Sequence, residues 1–542
     1  MVTRKLVTAA TLLGLGAITA WAQQMVPGQH PVGSRSQQVT VQVLAINDLH
    51  GNLEPPVGRD GMVGKTPAGG AEYLATHLKM AEAEEPNSIV VGAGDLMGAS
   101  PLISALFDEE PAIEAINAMG LKVTSIGNHE MDHGITELKR RLKTAHYQYL
   151  AANVLENGTP VFPATSIQTV GGVKIGFIGE TLEGSAAVIS ASAIRGDQFL
   201  EESQVANEAA LQLEKAGVHA IVLLIHQGGA QHGQADAMDR DSCANFSGEI
   251  QGIVERLSPA IQLVISGHTH EYYNCRIAGH TVTSAGAYGR LFTRVKLTVD
   301  RRTDRILTVA AANEIVTRDV PRDPAQTAIL EKYKPRAEEV ANRTVGSIAG
   351  EISRKQNAAG ESAMGDVIAD AQLTSVAAKE NGGAELAFMN TGGIRAELPA
   401  TGPGEVSFGE LYAVQPFGNQ ITVLTMTGED IRQLLEEQFR SDGSSIMLQV
   451  SEGFNYQYRL HAAPGEHVVP GSIKLRGKVL GAKDRVRVEA NGFMVAGAEG
   501  MTAFKSGTDK VIGTRDVDAL VAYFKTHSPV EAPKLNRIVR LD

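Results

Sequence analysis

Val39-Thr40-Val41-Gln42-Val43-Leu44-Ala45-Ile46-Asn47-Asp48-Leu49-His50-Gly51 joins a β-branched apolar run to a loop carrying ligand-type side chains. The run predicts a strand. The same order of strand, polar loop and helix continues to about Val299. Further strand-like runs lie at Ser88–Val91, Val123–Ile126, Lys174–Ile178, His219–Ile225 and Ile261–Ile265, with helical patterns such as Glu72–Glu84 and Val205–Lys215 between them. Such alternation predicts a layered α/β architecture.

The loops after these strands carry the chemistry. Ser88–Val91 runs into Gly92-Ala93-Gly94-Asp95, Val123–Ile126 into Gly127-Asn128-His129-Glu130-Met131-Asp132, His219–Ile225 into His226, and Ile261–Ile265 into Ser266-Gly267-His268-Thr269-His270. In α/β sheets the carboxyl ends of strands are where distant residues converge on a ligand. Asp, Asn and His form a nitrogen and oxygen donor set suited to zinc, manganese or similar divalent ions. Seven donors are too many for one tetrahedral ion. Two ions sharing a carboxylate, about 3.5–4 Å apart, are the arrangement that clamps the attacking and leaving oxygens in phosphoryl displacement. Each element alone is weak, since an Asp-x-His triplet is commonly a turn and a lone His a polar strand edge. Their joint placement at five strand ends makes the case.

His129-Glu130-Met131-Asp132-His133 also matches the H-E-x-x-H zinc-protease pattern, which needs both histidines one turn apart on a helix. Here it follows a strand and the turn residues Gly127-Asn128, and Gly134 comes directly after it. A helix through the whole motif is not expected.

The chain has 542 residues and a formal charge of −12, which argues against nucleic-acid backbone binding as the main task. With 43% hydrophobic and 20% charged residues it has an ordinary globular composition, and its length allows two to four domains, two being the working expectation. Arg4 and Lys5, the apolar run Leu6 to Ala20, and Ala20-Trp21-Ala22 have the order of a secretory signal peptide, residues 1–22. The run is shorter than the ~20 residues a spanning helix needs, so export, periplasmic or secreted, without a membrane anchor is expected. That compartment favours pairing of the two cysteines, Cys243 and Cys275, free buried thiols being the alternative. A polar helix from about Asp323 to Asn342, with Leu330, Tyr333 and Val340 on its apolar face, reads as an interdomain connector. A second block comes after it, with a helix at Met364–Val376, a strand at Leu386–Met389, a Gly-rich turn and a helix at Gly428–Phe439.

Taken together, Asn47–Gly51, Gly92–Pro101, Gly127–Asp132, Gly267–His270, Asn390–Arg395 and Gln415–Asn419 resemble the calcineurin-like metallophosphoesterases, specifically the exported 5′-nucleotidase family. The resemblance covers nearly all of the mature chain. It implies a metallophosphoesterase domain at 37–320, a linker helix at 321–344 and a second α/β, substrate-binding domain at 345–542. It further implies one ion held by Asp48, His50 and His270, another by Asn128, His226 and His268, and Asp95 bridging them. His129 and Asp132 resemble the catalytic dyad, in which His129 stands near the leaving oxygen and Asp132 orients its ring.

In the second block, Asn390 and Arg395 match the nucleotide-contacting positions, and Phe417 and Phe493 the two rings that sandwich the base; core packing is the plainer reading of those rings. Glu499 stands where related chains carry Asp, and Arg354 is a further phosphate or ribose contact in a loosely matching segment. The resemblance implies hydrolysis of nucleoside 5′-monophosphates, with 2′,3′-cyclic nucleotides and UDP-sugars as further candidates. Hydrolysis of another anionic ester, such as a thiosulfate ester, and a non-catalytic nucleotide-binding or adhesion role are the alternatives. The complete ligand set and intact dyad speak against the last. Metal identity, nucleotide preference and oligomeric state are not read from the sequence.

Overall fold

Along the strand Gln38–Ile46 almost every side chain is buried, because the strand has a core on each face. Val39, Val41, Val43 and Ala45 face one core, and Leu44 and Ile46 face another. This period-2 partition explains why the run is apolar without alternation. The computed structural model describes residues 37–189, 193–231, 243, 245–398, 404–440 and 443–542. The signal peptide expected at 1–22 lies outside the described residues.

Gln38–Ile46 sits inside a six-stranded sheet ordered Arg305–Ile315, Leu291–Asp300, Gln38–Ile46, Ser88–Ala93, Val123–Ser125, Gln148–Leu150. A second six-stranded sheet runs Tyr272–Ile277, His280–Ala285, Ile261–Ser266, Ala220–His226, Val173–Thr181, Thr165–Val170. The sheets share one core, in which Val41, Val43, Val91 and Val295 of the first meet Phe177, Val222, Leu224 and Leu263 of the second. Helices cover the outer faces. Ala71–Glu84 and Glu110–Ala118 lie over the first sheet, Glu202–Lys215 and Glu249–Glu255 over the second.

The consequence for the site is direct. Gln38–Ile46, Ser88–Ala93 and Val123–Ser125 are parallel in one sheet, and Val173–Thr181, Ala220–His226 and Ile261–Ser266 are parallel in the other. All ligand-bearing loops therefore leave carboxyl ends of strands, but from two sheets. The long antiparallel strands after His270 add a sheet edge that the strand-loop-helix reading did not anticipate.

The connector helix is Pro324–Ala341, with the Asp323 side chain accepting from Ala325 and Gln326 N–H groups at its N-terminus. It is not a free tether. Leu330, Tyr333 and Ala337 enter the core of the first block, and Gln326 Nε2 donates to Ala115 O at 2.9 Å. Val340, expected on that face, is only half-buried.

The second block builds a five-stranded mixed sheet ordered Gln449–Val450, Leu386–Met389, Arg485–Asn491, Gln420–Thr427, Thr508–Arg515. Helices Ala363–Val376 and Gly428–Glu436 pack on it, the latter opened by a reciprocal capping pair between Thr427 and Asp430. Cys243 and Cys275 are joined in a disulfide. No helix among the described residues is long and apolar enough to cross a membrane.

Candidate metal centre and substrate cavity

Five of the seven expected ligands, Asp48, His50, Asp95, His268 and His270, have positive φ between 48° and 73°. Non-glycine residues seldom take this left-handed conformation, and it concentrates where function over-determines the backbone. It turns each side chain sharply off its strand. Gly127 makes the turns compatible, since a Cβ there would lie 2.1 Å from Asp95 Oδ1.

Two donor groups result, Asp48 with His50 and His270, and Asp95 with His226 and His268, each with donor atoms within 4.8 Å of one another. Asp95 Oδ2 lies 3.0 Å from His226 Nε2 and 3.7 Å from His50 Nε2, so it stands between the groups. Asn128 Oδ1 is 3.1 Å from His268 Nδ1. His50 Nδ1 donates to Gly98 O and His226 Nδ1 to Ala93 O, both at 2.8 Å, which turns each Nε2 toward the donor groups. His50 Nε2 comes within 2.9 Å of His270 Nε2. His226 Nε2 points at Asp95 without the alignment of a hydrogen bond.

These residues fit divalent ions. Burial pushes His50 and His268 down to about 3, so they are neutral, as ligating imidazoles must be. Burial would also suppress a charge on His226, but the Asp95 carboxylate outweighs it and raises His226 to about 10. Asp95 itself, which burial alone would raise, is held well below the ordinary range by His226 and neighbouring imidazoles. The site draws positive charge.

Two residues with no role assigned from the sequence organise this centre. Asn47 Nδ2 donates to Asp48 Oδ2 at 2.6 Å, while Asn47 Oδ1 accepts from Ala285 N. Glu130, the acid of the protease-like string, is buried and staples two ligand loops. Its carboxylate accepts from Asp95 N and Gly127 N through Oε2 and from Leu96 N through Oε1, at 2.8–2.9 Å. Its neighbours form the short turn His129–Met131, and the next helix starts only at Ile135, so no helix carries both histidines. The protease geometry is absent.

His129 Nδ1 is 2.8 Å from Asp132 Oδ2, and the backbone N–H of His129 donates to Asp95 Oδ1 at 2.8 Å. Its ring opens on a cavity of about 190 Å³ lined by Asn128, His129, Asp132 and His268 on one side and by Asn390, Arg395, Phe417, Phe493 and Glu499 on the other. Both phenylalanines line it. Asn390 Nδ2 donates to Glu499 Oε1 at 2.9 Å, and Asn491 Nδ2 to Asn390 Oδ1 at 3.0 Å. Glu499 Oε2 is buried without a partner, and burial raises its pKa.

Arg354 is placed elsewhere. It lines a neighbouring cavity, its Nη2 donating to both Asp60 oxygens at 2.8 and 3.0 Å and its Nη1 to Arg395 O at 2.8 Å. Both Asp60 oxygens hold the guanidinium there, so the residue expected as a further phosphate or ribose contact is not among those lining the cavity beside His129.

The fold and the donor set define a metallophosphoesterase domain coupled to a second α/β domain. A calcineurin-like phosphoesterase family model matches residues 41–272, and a 5′-nucleotidase C-terminal domain model matches residues 340–506. Cell wall protein Lmo0130 of Listeria monocytogenes is 31% identical over 531 residues, covering 90% of this chain and 67% of that protein. Endonuclease YhcR of Bacillus subtilis is 29% identical over 538 residues; 93% of this chain is covered, but the match spans only 41% of the relative's length. The crystal structure of a 5′-nucleotidase precursor from Thermus thermophilus shares the fold, with a TM-score of 0.78, 24% identity, and coverage of 93% of this chain and 100% of that one. The chain belongs to the 5′-nucleotidase family.

Proposed function

We propose that this protein is an exported phosphohydrolase that uses two divalent ions to remove phosphate from nucleoside 5′-monophosphates. One observation carries the reading. A single cavity is lined at once by the His129–Asp132 dyad, by Asn128 and His268 from the donor groups, and by Asn390, Arg395, Phe417, Phe493 and Glu499 from the second block. Phosphate and nucleoside can thus be held together. The names of relatives point the same way, among them a probable 5′-nucleotidase of Treponema pallidum and a NAD 5′-nucleotidase of Haemophilus influenzae. The Cys243–Cys275 disulfide and the cell-wall relative support export.

Asp48, His50 and His270 would hold one ion, Asn128, His226 and His268 the other, and Asp95 both. When bound, such ions polarise the phosphoryl group and activate water. The protein's own groups supply the rest. Burial opposes a proton on His129, but Asp132 beside it wins and raises its pKa above the ordinary value. With Nδ1 engaged by Asp132, His129 presents Nε2 to the leaving ester oxygen and donates the proton that makes the nucleoside a neutral alcohol. Arg395 neutralises phosphate charge, Glu499 Oε2 accepts from ribose hydroxyls, and the two aromatic rings offer faces to the base.

Hydrolysis should be measured on nucleoside 5′-monophosphates by phosphate release, on 2′,3′-cyclic nucleotides, UDP-glucose and an oligonucleotide by chromatography of the products, on bis-p-nitrophenyl phosphate by p-nitrophenol, and on a thiosulfate ester by sulfate release. Preferential turnover of the monophosphates is expected. Turnover confined to the oligonucleotide or to the thiosulfate ester would replace this substrate assignment.

A further inference from the structure

We infer that Glu109 is a positioning residue for the metal centre, acting through Ser100 and Gly98 on His50, an inference that rests on the metal-dependent reading above. Glu109 has φ 69° and ψ 7°, a left-handed conformation, at the N-terminus of helix Glu110–Ala118. A carboxylate at a helix N-cap ordinarily accepts from the first N–H groups of its helix. This one makes no such bond. It turns inward, is 4% exposed, and accepts from Ser100 Oγ at 2.7 Å.

The chain of contacts continues to the ligand. Ser100 Oγ accepts from Gly98 N at 3.1 Å, and Gly98 O accepts from His50 Nδ1 at 2.8 Å. The tautomer of His50, and hence the direction of its Nε2 lone pair, is set by the carbonyl of Gly98, the residue whose N–H is held by Ser100, and Ser100 is held by Glu109. The loop has no slack. A Cβ on Gly98 would lie 2.3 Å from His129 O, and one on Gly51 would lie 2.5 Å from Ser100 Oγ, so the same loop is wedged between the backbones of His50 and the dyad. A glycine at position 109 would adopt this φ at no steric cost, so the strain of Glu109 is borne for its side chain.

The carboxyl also belongs to a cavity of about 450 Å³ that shares Asp132, His133 and Phe417 with the substrate cavity. Burial pushes Glu109 up to about 7, with the Ser100 hydroxyl pulling the other way. What the loop requires of it is an acceptor, which an amide supplies equally well.

The test compares Glu109→Gly, Glu109→Gln, Ser100→Ala and the Glu109→Gly/Ser100→Ala double variant with the parent. Zinc and manganese dissociation constants are measured by calorimetry, and thermal midpoints are measured on metal-free protein. Glu109→Gly relieves backbone strain, so its metal-free midpoint should not fall, yet its affinity for one of two ions should weaken about tenfold. Ser100→Ala should match it, the double variant should be no weaker than either single one, and Glu109→Gln should bind like the parent. Parent-like affinity in Glu109→Gly overturns the inference, as do additive losses in the double variant. A parent that binds neither ion overturns the functional reading itself, and the inference with it.

Discussion

The rings of His129 and Phe417 lie 5.5 Å apart and 23° from parallel, so a side chain of the second block is stacked on the histidine of the proposed dyad in the first. Arg395 sits over the same Phe417 ring, 5.7 Å from its centroid. Phe417 thus lines the cavity and packs on the His129 ring at once. Phe493 has no ring partner of that kind among the described residues; it lines the cavity and packs against the core of the second block, away from His129.

The two phenylalanines should therefore separate in kinetics. Phe493→Ala is expected to raise KM for a nucleoside monophosphate about 5–150-fold, the equivalent of one lost base stack, and to leave p-nitrophenyl phosphate unaffected. Phe417→Ala should do the same and also lower kcat about tenfold or more on both substrates, because the dyad is displaced. Unchanged p-nitrophenyl phosphate turnover in Phe417→Ala would detach the ring from the dyad.

His129→Ala should lower kcat by about 10²–10⁴-fold with both ions retained, since His129 acts on the leaving oxygen and lies outside the donor groups. Metal analysis beside steady-state kinetics decides it. Loss of an ion as the first effect would move His129 into the coordination shell.

Glu130→Ala should cost stability before it costs chemistry. It strips the acceptor from three buried N–H groups, those of Asp95, Leu96 and Gly127, at about 1–3 kcal/mol each. Urea unfolding should register a loss of at least about 3 kcal/mol. A fully stable Glu130→Ala protein would mean that the staple is dispensable.

Stability should also depend on Glu489, a fully buried carboxyl on the strand Arg485–Asn491 with neither oxygen hydrogen-bonded. Burial raises its pKa well above 4.5. Above that pH the unfolded chain releases a proton that the folded chain keeps, so this group lowers stability as pH rises, by up to about 1.4 kcal/mol per unit. Glu489→Gln removes the slope. The variant should gain on the parent between pH 4.5 and 7.5 in denaturant titrations, and a constant difference across that range would contradict the assignment.

The strand ends were legible because apolar runs stop abruptly at polar loops, and Leu386–Met389 and the helix after Asp323 emerge with nearly the expected bounds. The pairing of two sheets was not legible. A run such as Val39–Ile46, buried on both faces, looks the same whether helices or a second sheet cover it. The candidate donors were legible because each lies at or just past the end of its strand, and the structure brings them together in two groups. Glu130 was weighed only as a protease base, since a string of residues does not reveal that a side chain reaches back to the N–H groups of Asp95 and Leu96. The ion pair of Arg354 carried no signal for a related reason: its partner, Asp60, lies in the other block, nearly three hundred positions away. Tyr288, at φ 62° with its ring 5.3 Å from that of His270, carried no signal at all in the sequence.

Two-ion hydrolysis is tested most directly by following phosphate release from a nucleoside 5′-monophosphate as metal-free protein is titrated with zinc or manganese, with bound metal counted at each step. Asp95 lies between both donor groups, 3.0 Å from His226 Nε2 and 3.7 Å from His50 Nε2, so turnover should appear only as the second equivalent binds, and Asp95→Ala should show neither the second equivalent nor the turnover. Full turnover with no metal, or with one ion per chain, would contradict it.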